Sequence, residues 1–478
     1  MRNFFTVMAV ASLVSAGAVT GAIAAKAGEV YGPYPVTLKG WWGAEKNSVA
    51  YTGQMARHVI HDSLKSLSGK GNGSPNPALK KKMLSYYAGK DAGRAIVAPK
   101  SRKAFKIKQT AVDQISKKKN LAGKTYKGSV PGWPGNKTGK EVILHMIDKA
   151  SSAKKGFDPS TGNDYKQLIS KFVMGAVFYN QAVDNYMDEK LSAKKKPNDK
   201  GYKKGKHYTG KEHSWDEAFG YFGAAAHGLT LTAKQNYEVA KLGKKSKSPE
   251  AALKLADYNG DGEVDLYREM NYAHAYYASA YDKKGKTSYY KDIVQGFIDG
   301  RKLITSADGE KLSNEQRNKL RAIAAEIESN WEKVIAESVF KYAGSVYKDL
   351  EKLNTIIEAK GNTDKVFRKY GKHWGELKGL SMALQTGRKN LGEVAVKMNR
   401  MIGFGPLLPN GSQVVDVDAN GDFIKDQGKG MGEYMLHMLK IQKLMVQEFG
   451  VKARANDKLA SIKGLIEKVG KGDSAEND

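Results

Sequence analysis

A histidine and a glutamate stand one helical turn apart in the segment Gly371 to Glu376, which reads GKHWGE and which we call the GKHWGE motif. Its His373 and Glu376 are three positions apart, and residues at this spacing project from the same face of a helix. An imidazole and a carboxylate together suit zinc or iron. The motif therefore predicts part of a metal site.

A related string, EHSWDEAFG, occupies residues 212–220, and we call its first six residues the EHSWDE motif. It places His213 four positions before Glu217, a spacing that also keeps both side chains on one helix face. With one inserted residue, His213 aligns with His373 and Glu217 aligns with Glu376. The alignment indicates a faint internal duplication. If the two halves of the chain pack together, we expect these four side chains to converge and to share a metal ion.

Glu433 and His437, inside GEYMLHM, form a third pair at four-residue spacing and are a further candidate for metal binding. The string H-E-x-x-H is missing, so the helix-borne two-histidine site of a zinc protease is not present. A structural alternative holds for every pair. In that alternative each histidine and glutamate only hydrogen-bonds a neighbouring helix.

Residues 257–269, DYNGDGEVDLYRE, have the alternating oxygen ligands of a calcium loop, with Gly262 at the sharp turn. The candidate ligands are Asp257, Asn259, Asp261, Asp265 and Glu269. The closing position holds Arg268, and Glu269 follows one residue later, about a hundred degrees further round a helix. Either the loop is distorted or water completes the shell. The alternative is an ion-free turn that caps the following helix.

The chain contains no cysteine, which excludes disulfides, thiolate metal sites and cysteine nucleophiles. Its 79 Lys and Arg against 50 Asp and Glu give a net charge of +29. The lysine-rich runs are scattered along the chain, which favours loose association with anionic polymers of a cell envelope. No recognition motif accompanies the charge, so nucleic acid is not expected as a partner.

Residues 1–25 have the pattern of a secretory signal peptide. Arg2 supplies the positive start, a mostly apolar stretch follows, and Ala22-Ile23-Ala24 forms a cleavage site. We therefore expect cleavage near Ala24 and export to the periplasm or the cell surface. Elsewhere the sequence has no stretch long and apolar enough to span a bilayer, so no transmembrane span is expected in the mature protein.

Helical periodicity recurs along the chain after the leader and strand patterning is nearly absent, so the sequence predicts an all-α fold. For 478 residues, two domains or one double bundle are the natural expectation. We place a first helical bundle at residues 26–235 and a second at residues 236–478. The expected helices include residues 103–117 and 264–281, and Ser214 is expected to cap the helix of the EHSWDE motif.

The spelling Gly-x-His-x-x-Glu resembles the signature of the imelysin-like superfamily, helical periplasmic or cell-surface proteins of bacteria, and the GKHWGE motif matches it letter for letter. The strings at residues 213–223 and 373–385 look more like a sister family of unknown function. The resemblance implies two pseudo-symmetric helical bundles with a His/Glu site near their junction. In that superfamily, iron-uptake roles coexist with a claimed metallopeptidase activity.

Three functions remain open from the sequence. The first is binding or uptake of iron or zinc through the His/Glu pairs, with calcium in the loop. The second is a metallopeptidase-like enzyme in which Glu217 or Glu376 is the general base toward a metal-bound water. The third is a non-catalytic envelope module whose basic surface holds anionic polymer while the motif residues only lock helices together.

Overall fold

The computed structural model describes residues 29–41, 46–101, 105–241, 249–428 and 430–469, and the predicted signal peptide lies outside them. These residues form fourteen α-helices and one hairpin of two strands, which confirms the predicted helical class. The elements are α1 (Thr52–Leu67), α2 (Pro77–Tyr87), α3 (Gly139–Ser152), α4 (Tyr165–Val173), α5 (Gly210–Phe222), α6 (Ala233–Val239), α7 (Pro249–Ala256), α8 (Ala273–Asp282), α9 (Tyr289–Thr305), α10 (Asn314–Glu358), α11 (Asp364–Leu384), α12 (Gly392–Ile402), β1 (Ser412–Val417), β2 (Phe423–Gln427), α13 (Met431–Phe449) and α14 (Ile462–Val469). No helix within the described ranges has an apolar stretch long enough to cross a membrane.

The hairpin of β1 and β2 was not expected from the sequence. The two strands pair antiparallel with a bulge between Val414 and Asp416, and Asp418 shapes the turn by accepting hydrogen bonds from the backbone N–H groups of Asn420 and Asp422. Nearly all residues of β2 are exposed. An exposed strand has no need to alternate apolar and polar residues, so it leaves no periodic signal.

Two predicted helices are wrong because their residues pair with each other instead. The backbone N–H of Val264 donates to the carbonyl oxygen of Lys106, and the N–H of Lys108 donates to that of Val264. This bridge keeps both segments extended. Residues 103–117 therefore contain no α-helix among those described, and the predicted helix at 264–281 begins only at α8.

Buried apolar side chains form one continuous cluster that contains residues from both sides of the predicted domain boundary. The long helix α10 packs against α9, α11 and α13, and α11 also packs against α4 from the first predicted bundle. The core is thus continuous across residues 235 and 236. The division into two bundles and their pseudo-symmetry stay predictions.

Matching glycines in the two duplicated strings mark close helix contacts. A Cβ atom added to Gly220 on α5 would lie 2.8 Å from the Cβ of Gln54 on α1. One added to Gly379 on α11 would lie 2.6 Å from the Cβ of Lys171 on α4. A larger residue at either position would push the helices apart.

Helix α5, which carries the EHSWDE motif, begins earlier than predicted. Thr209 is its N-cap, and it exchanges hydrogen bonds with Glu212 in a capping box. Ser214 lies inside the helix and donates to the carbonyl oxygen of Gly210 at 2.8 Å, so the prediction of Ser214 as the cap is wrong. The string T-G-K-E is itself a capping-box signal.

A buried ion-pair cluster holds α5 against α9. The fully buried guanidinium of Arg301 donates to Asp216 Oδ1 at 3.0 Å and to Glu212 Oε1 at 3.2 Å. The hydroxyl of Tyr31 donates to Asp216 at 2.7 Å, and that of Thr37 donates to Glu212 at 3.0 Å. The cluster therefore joins α5, α9 and the segment that precedes α1.

We predict that Arg301→Ala lowers the free energy of unfolding by about 3 to 5 kcal/mol, because it leaves two buried carboxylates without a compensating charge. Lys302→Ala is the matched control on the same helix. Its ammonium makes an exposed ion pair with Glu29, so a loss below about 1 kcal/mol is expected. Chemical denaturation measures both values. A loss for Arg301→Ala no larger than that of the control would contradict the prediction.

The fully buried imidazoles of His58 and His274 predict sensitivity to acid. Burial, with a smaller contribution from His61, lowers the pKa of His58 to about 3, and burial holds the pKa of His274 well below its usual range. Unfolding releases these rings to an ordinary pKa near 6.5. Between about pH 6.5 and pH 3 the unfolded state binds more protons, so stability is lost as the pH falls.

The slope is expected to be about 1.4 kcal/mol per pH unit for each buried histidine. We predict that His58→Gln flattens the fall in unfolding free energy between pH 6.5 and pH 4, whereas His207→Gln, at a half-buried position, does not. Denaturation at several pH values gives the slopes. Identical slopes for wild type and His58→Gln would rule the explanation out.

Candidate functional site

The side chains of His213 and Glu217 lie at the edge of the core, each 12% exposed. His213 Nε2 is 3.7 Å from Glu217 Oε1, and the same oxygen accepts a hydrogen bond from Gln54 Nε2 at 2.7 Å. Glu217 Oε2 is buried and has no hydrogen-bond partner. An unsatisfied buried carboxylate oxygen is costly, so this atom points to a missing donor.

The charge of the Glu217 carboxylate acts on three lysines. Burial lowers the pKa of Lys190 to about 8 and also lowers the pKa of Lys119 and Lys124, while the charge of Glu217 raises all three. Lys190 Nζ lies 3.8 Å above the ring centre of Tyr186, and Lys124 Nζ donates to the hydroxyl of that tyrosine at 3.3 Å. One carboxylate thus interacts electrostatically with three ammonium groups, and we call this group the EHSWDE site.

Two tyrosine rings hold the His213 imidazole in this site. Tyr208 stacks on it at 4.6 Å between ring centres, and Tyr202 meets it edge to face at 4.1 Å. Lys196 Nζ lies 3.9 Å above the Tyr202 ring. All three residues come from the lysine-rich stretch before α5, which therefore builds part of the site.

The partner of His373 is a residue that sequence reasoning missed. His373 Nδ1 lies 2.5 Å from Asp349 Oδ2 on α10, and Lys369 Nζ donates to Asp349 Oδ1 at 2.9 Å. Burial would raise the pKa of Asp349, but these two hydrogen bonds lower it. No local pattern pairs an aspartate of α10 with α11, so only the packing of the two helices reveals this contact.

Glu376 lies beside this pair, and its side chain is 9% exposed. Its Oε2 atom is buried without a hydrogen-bond partner, and Lys372 Nζ is 3.9 Å away. Lys171 and Lys341 interact with the same carboxylate, and burial lowers the pKa of Lys341 to about 8. Lys341 Nζ also lies 4.7 Å above the ring centre of Tyr342. We call this group the GKHWGE site.

Both sites contain a histidine, a buried glutamate, lysines and tyrosines, but no described hydrogen bond or ion pair joins the two motifs. Helix α5 packs against α1, α9 and a π-helical segment, Gln181–Tyr186, and α11 packs against α4 and α10. The segment Met174–Tyr179 contacts both α5 and α11. Among all residues that the structure describes, no three His, Asp or Glu side chains are arranged to hold a metal ion. A metal shared by both motifs stays a prediction.

The third sequence pair lies on α13. His437 Nε2 is 3.9 Å from Glu433 Oε1, and His437 is buried. The two side chains are therefore on one helix face, as their spacing predicts. Metal binding by this pair is likewise untested and stays a prediction.

The five predicted calcium ligands lie in the loop between α7 and α8, and within this described stretch their carboxylates are not grouped as a metal site. The carboxylate of Asp257 accepts hydrogen bonds from the backbone N–H groups of residues 260–262, at 2.8 to 3.1 Å. Glu269 Oε2 accepts from the N–H of Asp265 at 2.8 Å, and its Oε1 accepts from that of Asn259 at 3.1 Å. Because this stretch is not α-helical, Glu269 turns into the loop instead of pointing round a helix.

Side chains from a neighbouring segment also reach this loop. Lys108 Nζ donates to Asp261 Oδ2 at 2.9 Å, and Gln109 Nε2 donates to Asp265 Oδ1 at 2.7 Å. Hydrogen bonds from the protein thus already occupy several oxygens of the predicted ligand set. Calcium would have to displace the Lys108 ammonium from Asp261.

Residues 72–254 match the model of a family described as a domain of unknown function, DUF4856. The matched stretch contains the EHSWDE motif and ends before the GKHWGE motif. Comparison with curated proteins and comparison with solved structures found no match to the chain. Part of the chain is thus similar to a family whose function is unknown, and the relationship to the imelysin-like superfamily stays a prediction.

We predict that calcium raises the melting temperature, because an ion that binds the native state stabilises it by mass action. Asp261→Ala is expected to abolish the shift. Lys108→Gln is expected to enlarge it, because the competing ammonium is removed. Calorimetry with chelator and with calcium up to about 1 mM, the range of weak extracellular sites, measures the shift. If calcium shifts the melting temperature of none of these proteins, the loop is an ion-free cap.

Proposed function

We propose that this protein is a non-catalytic binding protein for an anionic polymer, whose charged groups are held at the EHSWDE and GKHWGE sites. One observation carries the proposal: at each site a buried glutamate interacts electrostatically with three lysines. The lysines are Lys119, Lys124 and Lys190 around Glu217, and Lys171, Lys341 and Lys372 around Glu376. Positive charge therefore exceeds negative charge at both places.

This excess of positive charge disfavours the binding of a cation and favours the binding of an anion. Ammonium groups held partly out of water repel a metal ion more strongly than they would in bulk solvent. Burial lowers the pKa values of four of these lysines, which reflects the cost of keeping them charged in that environment, and a bound anion offsets part of the cost; the four are Lys119, Lys124, Lys190 and Lys341. The net charge of +29 adds a long-range attraction for polyanions.

The leader predicted at residues 1–25 would bring the protein to the bacterial envelope, where anionic polymers are abundant. The scattered lysine runs agree with such a ligand, since a long polymer meets many surface charges at once. Both the leader and the polymer belong to the proposal.

Iron or zinc binding is the second candidate, and the closeness of His213 to Glu217 and of His437 to Glu433 favours it. A metallopeptidase would need three protein ligands and an open position for water. The lysines around Glu217 and Glu376 weigh against using either carboxylate as a ligand or as the general base.

We predict that affinity for a polyanion falls as the pH rises through about 8, because Lys190 and Lys341 lose their protons there. Ordinary lysines titrate near 10.4 and would keep their charge. Titration calorimetry with polygalacturonate at pH 7, 8 and 9, at constant ionic strength, measures the affinity. The double variant Lys190→Gln/Lys341→Gln should bind at least tenfold more weakly at pH 7, and its pH dependence should be smaller.

Lys440→Gln, at an exposed position on α13, is the matched control and should bind like the wild type. Unchanged binding by the double variant would contradict the proposal. Melting temperatures with iron, zinc and chelator test the second candidate in the same preparations. A metal-dependent shift that disappears in His213→Ala and His373→Ala would favour metal binding instead.

A further inference from the structure

We infer that the anionic polymer is a saccharide, with both hydroxyl groups and acidic groups on its rings. The inference rests on the proposed function and adds the chemical class of the ligand. Three features shared by the two sites support it. Each site has a glutamate oxygen without a hydrogen-bond donor, a row of aromatic rings beside its histidine, and lysine ammonium groups above those rings.

The two glutamate oxygens lack hydrogen-bond donors, and a hydroxyl group can supply one. An ionised carboxylate only accepts hydrogen bonds. Oε2 of Glu217 and Oε2 of Glu376 are both buried and accept none. A polymer that offers only anionic oxygens, such as polyphosphate, would leave these atoms unsatisfied and would add repulsion. A sugar hydroxyl can donate to the glutamate while an acidic group on the same ring reaches the lysines.

At the EHSWDE site the aromatic rings form a row that leads outward. The centres of Tyr208 and His207 are 5.2 Å apart, and Trp41 lies 6.3 Å beyond His207. Trp41 and His207 are only partly buried, whereas Tyr208 stacks on His213 in the interior of the row. Sugar rings present C–H faces that pack well against aromatic surfaces, because both are apolar there.

The GKHWGE site has a second row, built from different elements. The ring centres of Tyr342 and His373 are 6.3 Å apart, and the hydroxyl oxygen of Tyr342 is 3.3 Å from that of Tyr277. The ring centres of Tyr276 and Tyr277 are 5.2 Å apart, and Tyr237 on α6 stacks on Tyr276 with 5.5 Å between ring centres. Tyr237 and Tyr276 are half-buried, so this row also ends at the surface.

Lysines accompany both rows. Lys196 Nζ lies 3.9 Å above the Tyr202 ring, and Lys283 Nζ lies 3.9 Å above the Tyr237 ring. Lys241 Nζ is within 5.3 Å of the ring centres of both Tyr237 and Tyr276. An acidic sugar that packs on a ring would therefore bring its carboxylate next to an ammonium group. A neutral sugar would gain only the packing.

Single-stranded nucleic acid also combines stacking with phosphate–lysine contacts. Two observations favour a saccharide over it. A glutamate stands at the inner end of each row, where it would repel a phosphodiester. The predicted leader also directs the chain away from nucleic acid. An oligonucleotide is therefore one arm of the test.

The test compares polygalacturonate with polyphosphate, neutral dextran and oligothymidylate, each titrated into the wild-type protein at pH 7 and equal ionic strength. We expect polygalacturonate to bind at least tenfold more tightly than polyphosphate at the same charge concentration, and dextran to bind weakly. Glu217→Ala/Glu376→Ala should lose this preference. Its affinity for polyphosphate should stay the same or rise, because two negative charges are removed.

That opposite response separates ligand recognition from a structural role, which would weaken the binding of both polymers together. The single variants Glu217→Ala and Glu376→Ala are measured too, since each leaves one site intact. Tyr202→Ala and Tyr237→Ala should weaken polygalacturonate binding at least threefold. Tyr126→Ala, at a half-buried position outside both rows, should not.

Polyphosphate bound as tightly as polygalacturonate would overturn the saccharide inference and leave the proposed function standing. Tighter binding of oligothymidylate would replace the saccharide by nucleic acid. Failure of all three polyanions to bind would overturn the inference and the proposed function together. Loss of polyphosphate and polygalacturonate binding to the same extent in the double glutamate variant would also overturn the inference.

Discussion

The buried contact of Arg301 with Asp216 and Glu212 is the constraint on which the EHSWDE site depends. A charge without access to water must be neutralised in place, so α5 has little freedom to slide or rotate against α9. Glu212 directly precedes His213, and Asp216 directly precedes Glu217. The second residue of each pair is therefore rotated by about 100° around the axis of α5 from the first. Fixing one face against α9 therefore presents the other face to the tyrosines of the preceding loop and to the lysines of the site.

The GKHWGE site reaches a similar composition by another route. Gly379 lets α11 approach α4 closely, which brings Glu376 near Lys171. The long helix α10 passes on the other side and contributes Asp349 and Lys341. Three helices thus form the second site, whereas the first site combines α5 and α1 with the segments that precede α3 and α5. A glutamate among lysines and tyrosines thus recurs in two settings built from unlike elements, and the proposed function assigns both the same ligand chemistry.

Electrostatics then determines what such a site accepts. A His/Glu pair on a helix is compatible with a metal, a proton relay or a plain structural contact, and the pair by itself does not distinguish them. Nearby ammonium groups shift the balance, because their repulsion of a cation grows as water is excluded. The same groups are costly to keep charged when no anion is bound, as the lowered pKa values of Lys190 and Lys341 indicate. In the proposed function, an anionic ligand relieves that cost.

The sequence by itself determined the helical class and placed His213 with Glu217, and Glu433 with His437, on one helix face, because these features follow from hydrogen bonds and spacings within a few residues. Only the tertiary structure decided that Asp349 is the partner of His373, that Arg301 anchors α5, and that Val264 pairs with a distant extended segment. These contacts join residues far apart in the chain, and local periodicity carries no information about which distant surfaces meet.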